Sequence, residues 1–303
     1  MTVGFIGLGR MGGNMCRNVI AKSGQEVLVY DLSPDAVAAC VDAGGRAASS
    51  VGELAAAADV IFSSLPKPEN VEAVALAPEG IAARANPGTV WFDLTTSSPE
   101  LARRLAPALK EKGIELLDAP VSGGPSGAEA GTLGIMVGGD EEVLEANRDL
   151  IETIGANVIH VGPIGSGLIV KLVNNMLGLA SVAAASEGLM LAKSAGVDPR
   201  KLDAVIRVST GDSLAYRSLA DRAISGDYTA AFALDLAYKD LHLALELADE
   251  VSVPMPIAAG THNLMRMARG LGYGQEDPTV VMRVYEKTQQ VTVAEGAVTP
   301  QGA

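Results

Sequence analysis

Gly7-Leu8-Gly9-Arg10-Met11-Gly12 reads G-x-G-x-x-G, and its surroundings decide the fold. Thr2-Val3-Gly4-Phe5-Ile6 before it is a short apolar run of strand type, and Gly13 to Ala21 after it has the apolar spacing of a helix. A second strand, Glu26-Val27-Leu28-Val29-Tyr30, ends at Asp31. Strand, glycine turn, helix, strand and acid in this order form the dinucleotide-binding fingerprint. The first glycine makes the tight turn, the second lets the backbone approach a pyrophosphate, and the third lets helix pack on strand. The helix N-terminus offers free N–H groups to the phosphates. Asp31 is placed to accept hydrogen bonds from the adenosine ribose hydroxyls. A carboxylate there repels a 2′-phosphate, which predicts NAD as cofactor, with NADP less favoured.

Outward from this turn, β-rich runs alternate with helical patterns up to about Gly162. Val60–Leu65, Val90–Leu94, Ile114–Asp118, Leu133–Val137 and Asn157–Val161 read as strands. Ser98-Pro99-Glu100 opens a helix running to Lys112, with proline at the first helical position. The alternation predicts a doubly wound parallel sheet of Rossmann type, with ligands outside the carboxyl ends of its strands. Pro66, Thr95-Thr96 and Pro120-Val121-Ser122 all fall in strand-end loops. After Gly162 the strand signals stop. Leu168 to Ala195 reads as one long helix, apolar almost all round and hence expected to be buried. Further helices are expected at about Pro199–Val208, Leu214–Ile224, Ala233–Glu250, Pro256–Arg269 and Val280–Tyr285; Asp198-Pro199 and Asp277-Pro278 are start signals. The division is therefore a dinucleotide-binding domain over 1–162, an all-α domain over 163–291 joined through the long helix, and a loose tail over 292–303.

Bulk properties narrow the function. A chain of 303 residues accommodates about two domains. The net charge of −13 and the absence of any basic run argue against a nucleic-acid surface. Cys16 and Cys40 have neither metal nor redox spacing and read as small apolar fillers, which suggests a reducing, cytoplasmic setting. The chain enters its first strand directly, so no signal peptide is expected. Lys171, Asn174, Asn175, Glu187 and Lys193 interrupt the long apolar segment, so it is not expected to span a membrane. His160, His242 and His262 are scattered, and no metal site is expected.

Two stretches carry the chemistry. Lys171 and Asn175 stand four apart, on one face of the apolar helix. A lysine there is either a tuned acid–base group, its pKa lowered by desolvation, or one whose head reaches solvent from the first turns. In Asp118-Ala119-Pro120-Val121-Ser122-Gly123-Gly124-Pro125, two glycines after a serine expose consecutive backbone N–H groups. That is either an anion cradle suited to a carboxylate or a plain connector.

The chain resembles the β-hydroxyacid dehydrogenase family, which includes 3-hydroxyisobutyrate dehydrogenases and tartronate semialdehyde reductases. The resemblance rests on Gly7–Gly12, Asp118–Gly124, Met136-Val137-Gly138-Gly139, Gly165-Ser166-Gly167 through Lys171 to Asn174-Asn175, and Tyr238-Lys239-Asp240-Leu241, in family order over about residues 1–290. It implies that Lys171 is the catalytic lysine and that Ser122, Gly123 and Gly124 hold the substrate carboxylate. It further implies that Asn175 orients the substrate hydroxyl. By the same resemblance Gly7, Leu8, Gly9, Arg10, Met11, Gly12, Asp31, Leu65, Pro66, Asn70 and Thr96 contact the cofactor, with Lys239 near its nicotinamide end. Hydride then passes between nicotinamide and the carbon bearing the hydroxyl, while Lys171 moves the hydroxyl proton; its ammonium supplies the positive charge, so no metal is needed.

The chain departs from the family at Ser209-Thr210-Gly211-Asp212-Ser213-Leu214, where Leu214 stands in the place of an expected aromatic. This leaves threonate-, serine- and sulfolactaldehyde-type substrates open beside 3-hydroxyisobutyrate. Tyr216 and Arg217 are candidates for contact with a polar substrate tail or for a plain exposed helix face. The alternatives are an imine or other carbonyl reductase of the same superfamily, and a non-catalytic NAD-binding interaction module. So greasy a helix in so small a domain suggests burial between subunits, in a homodimer or homotetramer.

Overall fold

The structure is a computed structural model that describes residues 1–294. By internal contacts it forms two compact units, residues 1–171 and the chain from Leu172 onward. In chain order the first holds β1 (Thr2–Ile6), α1 (Gly12–Lys22), β2 (Glu26–Tyr30), α2 (Pro34–Val41), β3 (Arg46–Ala47), α3 (Val51–Ala57) and β4 (Val60–Ser63). It continues with α4 (Pro68–Leu76), α5 (Ile81–Arg84), β5 (Val90–Asp93), α6 (Pro99–Lys110), β6 (Glu115–Asp118), β7 (Val121–Ser122), α7 (Gly124–Ala130), β8 (Gly134–Gly138), α8 (Glu141–Ala146), α9 (Arg148–Ile151) and β9 (Asn157–Gly162).

The strands run β3-β2-β1-β4-β5-β6-β8-β7, with β9 on β8. From β3 to β6 every pairing is parallel. The order reverses at β1, which lies between β2 and β4, and this is the switch point at which open α/β sheets bind ligands. Alternate side chains of each strand enter opposite layers. Val3, Phe5, Val27, Val29, Phe62 and Phe92 pack with α1, whereas Ile6, Leu28, Ile61 and Trp91 pack with α3 to α6. Both faces are thus covered, so these strands are continuous apolar runs rather than alternating ones.

The expected doubly wound parallel sheet is present, with antiparallel pairings added at one edge. β8 and β9 are parallel to each other, but β8 runs antiparallel to β6 and β7. Asp118 pairs with Gly138, Val121 with Ile135 and Ser122 with Gly134, so the chain follows β8 from Asp118 to Ser122, with the strand interrupted at Ala119-Pro120, where proline has no N–H to give. Two-residue β3 and β7 and the short α7 were too brief to leave a periodic signal. The predicted caps hold: Ser98 Oγ accepts from Leu101 N at 3.3 Å, and Asp198 Oδ1 from Arg200 N at 2.8 Å. Cys16 and Cys40 are both buried in the core on the α1 side of the sheet.

α10 (Ser166–Ser194) leads from the first unit into the second. The second unit then has α11 (Pro199–Ile206), α12 (Leu214–Ser225), α13 (Leu234–Glu250), α14 (Pro256–Gly270), a 3-10 turn at Pro278–Val281 and α15 (Met282–Gln289). Asp277-Pro278 therefore opens a 3-10 turn rather than an α-helix. Leu179, Val182, Leu189 and Met190 carry one side of α10 into this unit's core, with Leu219, Leu234, Leu241 and Met265. The expected burial of α10 all round is corrected: Val173, Leu177 and Leu191 are exposed, Leu191 by 73%. Among the described residues, α10 is long and apolar enough to cross a membrane by length and composition. Of the tail read as loose, Val293 is buried and its N–H donates to Glu286 Oε1 at 2.7 Å; residues 295–303 lie outside the described residues.

Candidate active site

The three glycines after β1 differ in what surrounds them. Gly7 has φ +88°, and a Cβ on it would come within 2.3 Å of the Ser64 carbonyl oxygen. A Cβ on Gly12 would lie 2.0 Å from the Gly7 carbonyl oxygen, so helix and turn touch backbone to backbone. A Cβ on Gly9, by contrast, would meet no protein atom within 4 Å. The crowded glycines hold the turn, and the open one leaves the backbone approachable by a ligand. Asp31 Oδ2 accepts from Leu8 N at 2.6 Å and Oδ1 from Ser33 N at 2.8 Å. The acid is thereby fixed beside the glycine turn, and Leu32 after it is exposed.

The neighbouring strand ends contribute the other residues expected at the cofactor. Leu65 N donates to Thr95 Oγ1 at 3.0 Å, which ties the loop after β4 to the loop holding Thr96. Pro66 is exposed, and Asn70 lies in the first turn of α4. A polar row crosses the ends of β4, β5 and β6: Ser63, Asp93 and Asp118 are register partners. Within it Trp91 Nε1 donates to Ser63 Oγ at 2.8 Å, and Ser63 Oγ donates to Asp93 Oδ1 at 2.7 Å. Ser122 closes β7, and Gly123 and Gly124 follow with φ +134° and +65°. Other residues adopt such backbone at a cost. Gly124-Pro125 then begins α7, which the reading of this segment as cradle or connector had missed.

Lys171 is 9% exposed, so it does not reach out to solvent from the first turns of α10. Asn175 follows one turn later on the same face. Asn175 Nδ2 donates to Asp240 Oδ2 at 2.7 Å, and Asn174 Nδ2 donates to Asn175 Oδ1 at 3.1 Å. Asp240 is 2% exposed and pairs with Lys239, Nζ to Oδ1 3.1 Å. Taking a carboxylate out of water is costly unless it is paired and hydrogen-bonded; here a lysine and an amide meet it. Asp240 was not singled out from sequence, although the signal was there. Leu234, Ala237, Leu241, Ala244 and Ala248 mark the buried stripe of α13, and Asp240 falls within it.

Arg217 and Asp212 form an ion pair, with Nε to Oδ1 at 2.8 Å, which holds the Asp212 carboxyl below the usual carboxylate range. Tyr216 is buried and lines an apolar cleft of about 380 Å³ in the second unit, with Leu189, Leu202 and Ile206. Leu214 is exposed.

A glycine turn stands at the sheet's switch point, and a half-buried amide follows the buried Lys171 by one helical turn. Comparison with known proteins places the chain in a family. Residues 2–162 match the NAD-binding domain of 6-phosphogluconate dehydrogenase. Residues 165–285 match the NAD-binding domain of NADP-dependent 3-hydroxyisobutyrate dehydrogenase. The 2-(hydroxymethyl)glutarate dehydrogenase of Eubacterium barkeri is 41% identical over 97% of this chain and 98% of its own. The NAD-dependent L-serine dehydrogenase of Pseudomonas aeruginosa is 37% identical over 95% of this chain and 98% of its own. The crystal structure of 3-hydroxyisobutyrate dehydrogenase from Salmonella typhimurium has a TM-score of 0.84 at 30% identity, over 94% of this chain and 99% of that one. The chain belongs to the β-hydroxyacid dehydrogenase family and is an oxidoreductase with a nicotinamide-dinucleotide-binding domain. Imine reductases at 18–20% identity share its fold.

Proposed function

We propose that this protein oxidises a small β-hydroxy acid, or reduces the corresponding semialdehyde, with Lys171 as general acid and base. The observation that carries the reading is Lys171 buried in the first turns of α10, with the anchored Asn175 amide one turn away. NAD, when bound, supplies the hydride acceptor. Lys171 takes the hydroxyl proton during oxidation and returns it during reduction, and its charge steadies the developing alkoxide. Ser122, Gly123 and Gly124 hold the substrate carboxylate, and Asn175 turns its remaining N–H to the substrate. Lys239 lies toward the nicotinamide end.

NAD is favoured over NADP by Asp31, which is fixed beside the Leu8 N–H. The residue after it is Leu32, so no cation stands there to meet a 2′-phosphate. A similar structure at 29% identity is a complex with NADP+, so the preference for NAD rests on these two residues and not on the fold. The relatives named for serine, 3-hydroxyisobutyrate and 2-(hydroxymethyl)glutarate point to a substrate whose hydroxyl sits on the carbon β to a carboxylate. The Asp212–Arg217 pair makes Asp212 compatible with an anionic substrate tail, because its charge is already met. The exposed apolar side chains Leu177, Leu191, Val205, Val208 and Leu214 support a homodimer or homotetramer, in our reading of a cytoplasmic enzyme.

The test is a panel of three- to five-carbon β-hydroxy acids and semialdehydes, assayed by NADH absorbance with NAD and NADP in parallel. Turnover of one compound with NAD preferred is expected. Silence across the panel with NADH binding intact would replace this reading with an imine reductase or a binding module.

A further inference from the structure

Asp118 ends β6 and is 1% exposed. Its Oδ1 accepts from Gly165 N at 2.6 Å and its Oδ2 from Leu168 N at 2.8 Å. These are the residue before α10 and the third residue within it. The first N–H groups of a helix have no partner inside it, and a side chain just before the helix usually supplies one. Gly165 has no side chain to offer. The cap arrives instead from the sheet, and it is seated without slack. A Cβ on Gly138 would lie 2.5 Å from Asp118 Oδ1, and one on Gly167 would lie 2.9 Å from Oδ2 and 2.3 Å from the Met136 carbonyl oxygen.

The position of this carboxylate in the chain gives the cap its meaning. Lys171 stands three residues beyond Leu168, on the next turn of the helix. In the other direction, Ala119-Pro120 leads directly to Val121-Ser122 on β7, which is held on β8 by the Val121–Ile135 and Ser122–Gly134 pairs. One buried side chain at the end of β6, separated by two residues from β7 and the Ser122 loop, therefore holds the first turn of the helix that carries the lysine on its next turn. We propose that Asp118 is a positioning residue that fixes where the Lys171 ammonium stands relative to the Ser122 loop. This rests on the reading of Lys171 as the acid–base group.

A carboxylate suits the task because both of its oxygens only accept. Asparagine has the same shape, but it turns an NH2 toward one of the two N–H donors. Asp118→Asn therefore keeps the volume and breaks one end of the joint. In the full-length enzyme, this variant is expected to lower kcat by roughly 10-fold, with the NADH dissociation constant from fluorescence titration within about twofold of the parent value. The pH limb of kcat/KM set by Lys171 should shift as well. In a Lys171→Ala background the same change should slow the residual reaction no further, because there is no lysine left to misplace. Unchanged kcat and pH limb, or an equal loss with and without the lysine, overturns the role of Asp118. Near-normal turnover by Lys171→Ala overturns the acid–base reading, and this proposal with it, whatever Asp118→Asn does. If the asparagine variant does not fold, Asp118→Ser retains one acceptor and is read by the same criteria.

Discussion

The turn after β1 and the Asn175–Asp240–Lys239 cluster handle charge in opposite ways. The turn works by leaving side chains out: at Gly7 and Gly12 backbone oxygens occupy the space of a Cβ, and at Gly9 that space is open. Its charge is that of backbone N–H groups and a helix end. The cluster works by putting one charged side chain, Asp240, where water is absent and meeting it with a half-buried lysine and a half-buried amide. The first kind of site is local in sequence and tolerant of its surroundings. The second is assembled from helices 65 residues apart and fails when any one member loses its partner.

The largest effect should come from Lys171→Ala, one helical turn before Asn175 of the cluster. Loss of kcat by about 10²-fold or more is expected, with NADH affinity nearly unchanged in a fluorescence titration. Near-normal turnover would erase the distinction between a binding half and a chemical half. Within the turn itself, the contrast can be sharpened by two alanines. Gly12→Ala must displace the Gly7 carbonyl and should lower stability by about 1–3 kcal/mol, seen as a fall in the thermal midpoint. Gly9→Ala should leave that midpoint alone and weaken NADH binding by roughly 10-fold. Equal effects of the two on stability would show that crowding does not separate their roles.

Asp240→Asn keeps the shape of the cluster but removes its negative charge. Turnover should fall by roughly 10-fold, the scale of one buried charge-assisted hydrogen bond, with the melting temperature as the control for folding. Turnover equal to that of the parent would mean that the Asn175 amide needs no anchor.

The smallest effect expected is on stability against pH. Burial, with help from the like charge of Asp93, raises the Asp118 carboxyl from the ordinary 3.8 to about 6, against the pull of its two N–H donors. A group raised in the folded state holds its proton more tightly there than in the unfolded chain. Its contribution is therefore fully present below about pH 4 and is lost as pH rises through about 6. The difference amounts to at most about 3 kcal/mol. Urea titrations from pH 4 to pH 7 should show this slope in the parent and not in Asp118→Asn; identical slopes would assign the pH dependence to other groups.

Much of the first unit was legible because its signals are short-range. A G-x-G-x-x-G between strand and helix, and a serine before Pro99, state their own geometry. The antiparallel pairing of β8 with β6 and β7 left no such trace, since strand direction is set by where the chain crosses and not by composition. α10 shows the same limit from another side. Its apolar residues announce a helix, but Leu177 and Leu191 look like core in sequence and are exposed in the single chain.

By itself the sequence determined the longer helices and strands, the glycine turn, the acid that follows it and the shared helix face of Lys171 and Asn175, because each is encoded within about thirty residues by sterics and periodicity. Only the tertiary structure decided that Asp240 holds Asn175, that Asp118 caps the helix carrying Lys171, and that Arg217 neutralises Asp212. A buried charge needs a partner, and packing rather than spacing chooses which residue supplies it.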